Sequence, residues 1–294
     1  MSDKAHKSGY IAIIGKPNAG KSTLMNRILG QKISITTHKP QTTRHRILGI
    51  HSEEDLQIIF LDTPGVIDPR YELQKAMMRT VDRARSDADL ILLIVDVEDP
   101  IIPGRIFQAF KSTTQPVVLV VNKIDTVDRG VAEGVAGELH ADYDFEETVY
   151  VSALTGEGIQ ELMELVKARM PEGPPYYPKE MLSEQPVRFF VAELVREQLF
   201  LQYHQELPYS CTVDVIQYDE REDLDYINAE VIVNRDSQKG ILIGKGGKAI
   251  KELGKAARET IEDFVGKKVF LDLHVKVRDK WRDNPNMVRN FGYR

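Results

Sequence analysis

The chain has 294 residues, 42% hydrophobic and 29% charged, with a formal net charge of −6 and a single cysteine, Cys211. That length accommodates about two domains with separate cores, one cysteine excludes an intramolecular disulfide, and the scattered histidines (6, 38, 45, 51, 140, 204, 274) offer no zinc-ligand spacing. The polar start MSDKAHKSG does not read as a secretory signal, and the longest apolar run, LILLIV at 90–95, is too short for a bilayer, so a cytoplasmic chain without a transmembrane segment is expected.

Charge is unevenly spread: residues 237–294 carry 14 Lys/Arg against 7 Asp/Glu, whereas the preceding residues carry 25 against 38. A basic end on an acidic chain suits an anionic partner, either nucleic acid or an acidic membrane surface, or is simply a solvated positive face.

In chain order, YIAII (10–14) reads as a strand with apolar residues on both faces, as in a buried parallel sheet. Gly15-Lys16-Pro17-Asn18-Ala19-Gly20-Lys21-Ser22 follows at once and opens a helix predicted over 21–30, with Thr23 counted in the same candidate set. The spacing G-x-x-x-x-G-K-[ST] between strand and helix is that of a phosphate cradle. Its glycines let backbone N–H groups converge on phosphate oxygens, the helix N-terminus adds a favourable field, and Lys21 supplies a fixed charge. The Ser22 hydroxyl is a candidate Mg2+ ligand. RHRILGIHSEEDLQIIFLD (44–62) reads as two strands turned back through HSEED, an antiparallel edge pair. Asp62-Thr63-Pro64-Gly65 ends the second of them. A carboxylate there can reach the Mg2+ shell, and Gly65 lets the backbone approach a γ-phosphate.

Helices over 72–86, 104–113, 130–140 and 158–169 then alternate with strands LILLIV (90–95), PVVLVV (116–121) and TVYVS (148–152), which predicts an α/β domain with a mainly parallel sheet flanked by helices. Asn122-Lys123-Ile124-Asp125 follows the strand at 116–121. A carboxylate at Asp125 accepts both N1–H and N2–H2 of guanine; adenine offers neither donor and would leave the charge unpaired. Ser152-Ala153-Leu154 ends the next strand, where the Ala153 amide can donate to guanine O6. Four motifs in this order, each after a strand, point to GTP and GDP. No Ser/His/Asp or Cys/His arrangement suggests other chemistry.

PEGPPYYPKEMLSEQP (171–186) holds five prolines and reads as an extended linker. Beyond it come a helix near 187–202, strands in YSCTVDVIQY and YINAEVIVNR separated by the acidic DEREDLD, a helical stretch over 238–265 broken by glycines, and a strand in KVFLDLHVKV. Helix–strand–strand–helix–helix–strand is a smaller α+β unit. The break, Leu242-Ile243-Gly244-Lys245-Gly246-Gly247 with Ile250 three residues on, fits the K-homology (KH) pattern, whose loop clamps the backbone of about four single-stranded nucleotides. Bare glycines allow close approach, Lys245 and Lys248 bring charge, and Lys248, Lys251, Lys255 and Arg258 recur at helical spacing as a basic stripe. The strands DVIQY and AEVIVNR are expected to floor the groove. No Ser/Thr follows Gly244-Lys245, which argues against a second nucleotide site. Trp281 either fills the core or stacks on a base.

On these motifs the first 170 residues resemble the G domain of translation-factor-related GTPases. QTTRHRILGI (41–50) with the whole second unit resembles the Era family over nearly the entire chain. The resemblance implies a P-loop GTPase domain over 1–170, the linker 171–186 and a type II KH domain over 187–294. It places Thr42 and Thr43 in a first switch segment (roughly 33–47, the second spanning 62–80), one of which completes the Mg2+ shell; spacing does not separate adjacent threonines, and Thr43 is chosen from its position just before Arg44. Lys21, Thr43, Gly65 and Asn18 are then the candidates for the chemical step. Ras-like GTPases place a water-orienting glutamine where this chain has Val66, so slow intrinsic hydrolysis is expected. Asn18 has two open roles: capping the loop, or, as in related GTPases, holding K+. The family further implies a monomeric GTP-operated switch that binds 16S ribosomal RNA near its 3′ end and assists maturation of the 30S subunit, with GTP-ordered switch segments repositioning the second domain across the linker. The alternative is a signalling GTPase held at the inner face of the cell membrane by its basic C-terminal segment.

Overall fold

The computed structural model describes residues 5–111 and 113–293. They divide into two compact units, Met1–Pro69 with Met77–Glu184 and Arg70–Ala76 with Gln185–Arg294.

The first unit is built on a six-stranded sheet in the order β2-β3-β1-β4-β5-β6. Its elements in sequence are β1 (Lys7–Gly15), α1 (Lys21–Leu29), β2 (Ile47–Ser52), β3 (Leu56–Asp62), α2 (Glu72–Asp87, in this unit from Met77 onward), β4 (Leu90–Asp96), α3 (Gly104–Lys111), β5 (Val117–Asn122), α4 (Arg129–Asp142), β6 (Glu147–Val151) and α5 (Ile159–Arg169). Only β2 runs antiparallel, against β3. Every residue of β3 and β5 is buried. This is why their sequences are continuous apolar runs with no alternation: helices cover both faces of a parallel sheet. Register aligns the strand ends, with Ile13 opposite Asp62, Gly15 opposite Ile94, Asp96 opposite Asn122, and Asn122 opposite Val151. Each candidate nucleotide motif thereby emerges on one edge, the carboxyl ends of the strands, where open α/β sheets bind ligands.

The second unit holds α6 (Val187–Gln202), the single turn α7 (Leu207–Ser210), β7 (Thr212–Asp219), β8 (Asp225–Val233), α8 (Asp236–Ile243), α9 (Lys248–Val265), β9 (Val269–Val277) and α10 (Pro285–Asn290). β8 pairs antiparallel with β7 and parallel with β9. The helical stretch at 238–265 is broken into two helices where the glycines stand, because Gly244, Gly246 and Gly247 all take positive φ (69°, 63° and 77°) and interrupt the hydrogen-bond ladder. Trp281 is wholly buried and its Nε1 donates to Ser210 O at 2.8 Å, so it is a core residue.

The proline-rich segment 171–186 forms no helix, as its missing N–H groups dictate, but as far as residue 184 it is pinned to the first unit. Gln57, fully buried on β3, accepts the Tyr176 and Tyr177 amides at 2.7 and 2.9 Å and donates to Tyr177 O at 2.8 Å and Ser52 Oγ at 3.1 Å. Ile50 N–H on edge strand β2 donates to Leu182 O at 2.8 Å, and Ser183 Oγ donates to Leu48 O at 2.6 Å. The segment therefore satisfies a sheet edge that would otherwise be open. Replacing Gln57 by alanine strands those amides and is expected to cost the first unit about 2 kcal/mol, read by chemical denaturation together with faster exchange of the Tyr176 and Tyr177 amides.

Candidate functional site

The turn between β1 and α1 wraps around Lys21. Lys21 Nζ donates to Gly15 O at 3.2 Å and Lys16 O at 2.8 Å, and burial lowers its pKa to about 8, the nearby Asp62 carboxylate partly opposing the shift. Asn18 takes a left-handed conformation (φ 65°), and its Nδ2 donates to His38 O at 2.9 Å, joining the loop to the predicted first switch segment. At Gly20 (φ 99°) a Cβ would lie 2.1 Å from Asn122 Nδ2, so no larger residue fits. Ala19 is buried, Thr23 half-buried, and Lys16 pairs with Asp99.

Three oxygens meet beside Lys21. Ser22 Oγ lies 2.8 Å from Thr43 Oγ1 and donates to Asp62 Oδ2 at 2.7 Å. Asp62 is completely buried, which raises its pKa against the opposing effects of the Ser22 hydroxyl and Lys21, and its Oδ1 has no hydrogen-bond partner among the described residues. A buried carboxylate oxygen without a donor, flanked by two hydroxyls, suits a hard cation with oxygen preference such as Mg2+. Ser22, Thr43 and Asp62 could hold one. Thr42 faces elsewhere: its Oγ1 bonds Thr37 Oγ1 at 2.6 Å and Lys39 O at 2.8 Å, within its own loop. Thr63 Oγ1 donates to Ile13 O at 2.7 Å, anchoring Asp62-Thr63-Pro64-Gly65 to β1, and Val66 N donates to Gly15 O at 3.0 Å. The Val66 side chain is buried and apolar, so it presents no hydrogen-bonding group.

The base-side motifs converge through Asn122. Its Nδ2 donates to Ala19 O at 2.8 Å and its Oδ1 accepts the Ala153 amide at 2.9 Å, tying the phosphate loop to Ser152-Ala153-Leu154. Ser152 is fully buried, with its Oγ accepting the Thr155 amide at 3.1 Å. Lys123 is left-handed (φ 67°) and pairs with Asp96, while Asp125 is exposed.

Sequence patterns had not singled out several residues that build this site. Arg27 reaches from α1 to the carbonyls of Ala153 (3.1 Å from Nε) and Leu154, across 126 residues of chain. Asn26 Oδ1 accepts the Ile33 and Ser34 amides, both at 2.9 Å, and its Nδ2 donates to Ser34 O at 2.7 Å, fixing the start of the segment that carries Thr43. Only the tertiary fold brings these groups together, so no spacing could have flagged them.

In the second unit, Ile243 ends α8, Gly244 to Gly247 form the turn, and Lys248 begins α9. Around Gly246 and Gly247 a Cβ would meet nothing within 4 Å, so bare backbone faces solvent. Lys245, Lys248, Lys251, Lys255 and Arg258 are all exposed, whereas Leu253, Ala257 and Ile261 hold α9 to the core. The basic stripe is interleaved with acids, Glu252 lying 3.9 Å from Lys248 and Glu259 3.9 Å from Lys255. On the two strands expected to floor the groove, Val215, Ala229, Val231 and Ile232 are buried and Ile216 is 53% exposed, and Ile241 on α8, three residues before Gly244, is 57% exposed.

Residues 10–123 match the model of the 50S ribosome-binding GTPase family, and residues 206–282 match the KH domain. The chain is 45% identical to GTPase Era of Geobacter metallireducens, covering 100% of both chains. It is 46% identical to the chloroplastic ERA-like GTPase of Oryza sativa subsp. japonica, covering 98% of this chain and 70% of that one. Among solved structures it is similar to Era in complex with MgGDPNP and nucleotides 1506–1542 of 16S ribosomal RNA, with a TM-score of 0.94, 38% identity, and coverage of 98% of this chain and 99% of that one. Replacing Arg27 by alanine frees the loop at 152–154 and is expected to weaken GDP binding about fivefold while the fold persists, measured by calorimetry alongside circular dichroism.

Proposed function

The chain belongs to the Era family of GTPases, and on that premise we propose that it is a GTP-operated switch that binds 16S ribosomal RNA near its 3′ end in the cytoplasm and assists maturation of the 30S subunit. It is a GTPase with a P-loop domain and a KH domain. The observation that carries the RNA reading is the uncovered backbone at Gly246 and Gly247 beside exposed Lys245 and Lys248. Two glycines without neighbours leave room for a sugar-phosphate chain, and the lysines supply its counter-charge. The similar Era structure holds 16S nucleotides 1506–1542, which makes that stretch the first RNA to try.

In the first unit, the phosphate loop with Lys21 takes the nucleotide's phosphates and Asp125 reads the guanine, while the Ala153 amide, expected to donate to guanine O6, is instead taken by Asn122 Oδ1, and Ser22, Thr43 and Asp62 would hold Mg2+. A cation held by these three residues would supply charge neutralisation for the triphosphate. The Lys21 ammonium, already fixed between two loop carbonyls, needs no reorganisation to meet phosphate oxygens. Val66 does nothing to orient water, which supports slow turnover without an activator.

An RNA oligonucleotide spanning 1506–1542 is expected to bind with an affinity that falls steeply as salt rises, and Gly246→Asp with Gly247→Asp together should reduce it at least tenfold, since two carboxylates would enter a phosphate-binding loop. Full affinity in the double variant would remove the loop from RNA binding; tight binding to anionic vesicles that survives the double change would favour the membrane reading. For Asn18, GTP hydrolysis several-fold faster in potassium than in sodium is expected if its amide oxygen assists a monovalent cation. Equal rates would leave Asn18 with its contact to His38 O alone.

A further inference from the structure

The loop after β4 carries a carboxylate that none of the nucleotide motifs includes. Asp96 ends β4 directly opposite Asn122 on β5. Its Oδ2 forms an ion pair with Lys123 Nζ, its Oδ1 accepts the Glu98 amide at 3.1 Å, and its carbonyl accepts the Asp99 amide at 3.0 Å. The aspartate is the better buried partner, 16% exposed against 35% for the lysine. Val97 N donates to Asn122 O at 3.1 Å, so the loop is also fixed to the strand end that bears the base-reading motif. Asp96 is thus held by its own loop, and it holds Lys123. Two residues further on, Asp125 is exposed and has no hydrogen bond or ion pair with another described residue.

We propose that Asp96 is a positioning residue for base specificity: by holding the Lys123 ammonium, it keeps that charge off Asp125 and leaves the Asp125 carboxylate free to accept guanine. The inference rests on Asp125 being the guanine reader. The physical argument is competition for the same lone pairs. An ammonium two residues from Asp125 forms a charge-assisted hydrogen bond wherever it finds a carboxylate. Tied to Asp96 it has one. Released, it can turn onto Asp125, and guanine N1–H and N2–H2 must then displace it. Asp96 does so without meeting the nucleotide itself, and its second oxygen keeps the loop closed through the Glu98 amide. A carboxylate suits this position because it serves both partners at once.

Asp96→Asn is the informative change, since an amide oxygen preserves the bond from the Glu98 amide while the charge facing Lys123 is lost. GTP and GDP affinity should fall roughly five- to tenfold, with a smaller loss for inosine nucleotides, which lack N2–H2 and make less use of Asp125. The preference for GTP over ITP therefore shrinks. In a Lys123→Met background, which keeps an unbranched stem without charge, Asp96→Asn should have no further effect. An equal loss in both backgrounds would make Asp96 a loop support only and overturn the proposal, as would an unchanged GTP-to-ITP ratio. Asp125→Asn serves as the separate control, expected to weaken GTP and favour XTP, whose C2 carbonyl accepts from an amide. If Asp125→Asn leaves base preference untouched, the guanine-reading role of Asp125 fails, independently of Asp96.

Discussion

A single carboxamide holds the nucleotide site together. Asn122 donates to the phosphate loop at Ala19 O and accepts from the base-side loop at the Ala153 amide, while its backbone carbonyl takes the Val97 amide. Two loops meet at one buried side chain and a third at its backbone, and Gly20 is bare because that side chain occupies the space a Cβ would need. The arrangement is possible only because the sheet is parallel and in register, so that the ends of β1, β4, β5 and β6 arrive on one edge. A carboxamide offers a donor and an acceptor in one rigid plane, which neither a carboxylate nor a hydroxyl of that length can match.

Around this brace the charges are arranged as unfinished pairs. Lys21 and Asp62 are both completely buried, and burial pulls each toward its neutral form. Burying charge without full compensation is costly in a structural core, and here the groups aim at a common point with Ser22 and Thr43. Their cost is offset when a polyanion with its cation completes the set, so the same features that weaken the empty arrangement favour binding. The side-chain amides of Asn26 and Asn18 link the phosphate side to the backbone of the segment 33–43, beside the Ser22–Thr43 hydroxyl contact.

The second unit solves a different problem with similar means. Its glycines also expose backbone, but the lysines beside them, Lys245 and Lys248, are exposed, as are Lys251, Glu252, Lys255, Arg258 and Glu259 along α9. Such a surface can follow a flexible polyanion but cannot enclose a compact one. Interleaved Glu252 and Glu259 temper the basic stripe, leaving the turn itself, with Lys245 and Lys248, as the point of strongest attraction.

What could be read directly from the amino-acid order was whatever lies within a few residues. The phosphate loop, Asp62 to Gly65, Asn122 to Asp125, and Gly244 to Gly247 each carry a fixed spacing imposed by backbone geometry, and the two-sided apolar runs announced a buried parallel sheet. Thr42 and Thr43 could not be told apart by spacing; only the fold sets Thr43 against Ser22 and turns Thr42 back on its own loop. The same holds for Arg27 on the Ala153 and Leu154 carbonyls, Asp96 on Lys123, and Gln57 on the strap at Tyr176 and Tyr177, which read as an extended linker from its prolines. Period-two alternation likewise shows that a strand has two faces but not which of them the helices cover, so that Val215 is buried and Ile216 exposed was for the fold to decide. Local motifs are contiguous because neighbouring peptide units must converge on one ligand. Long-range pairings leave no such trace, because any polar residue of suitable length can meet a distant backbone group once the sheet has set where both chains run.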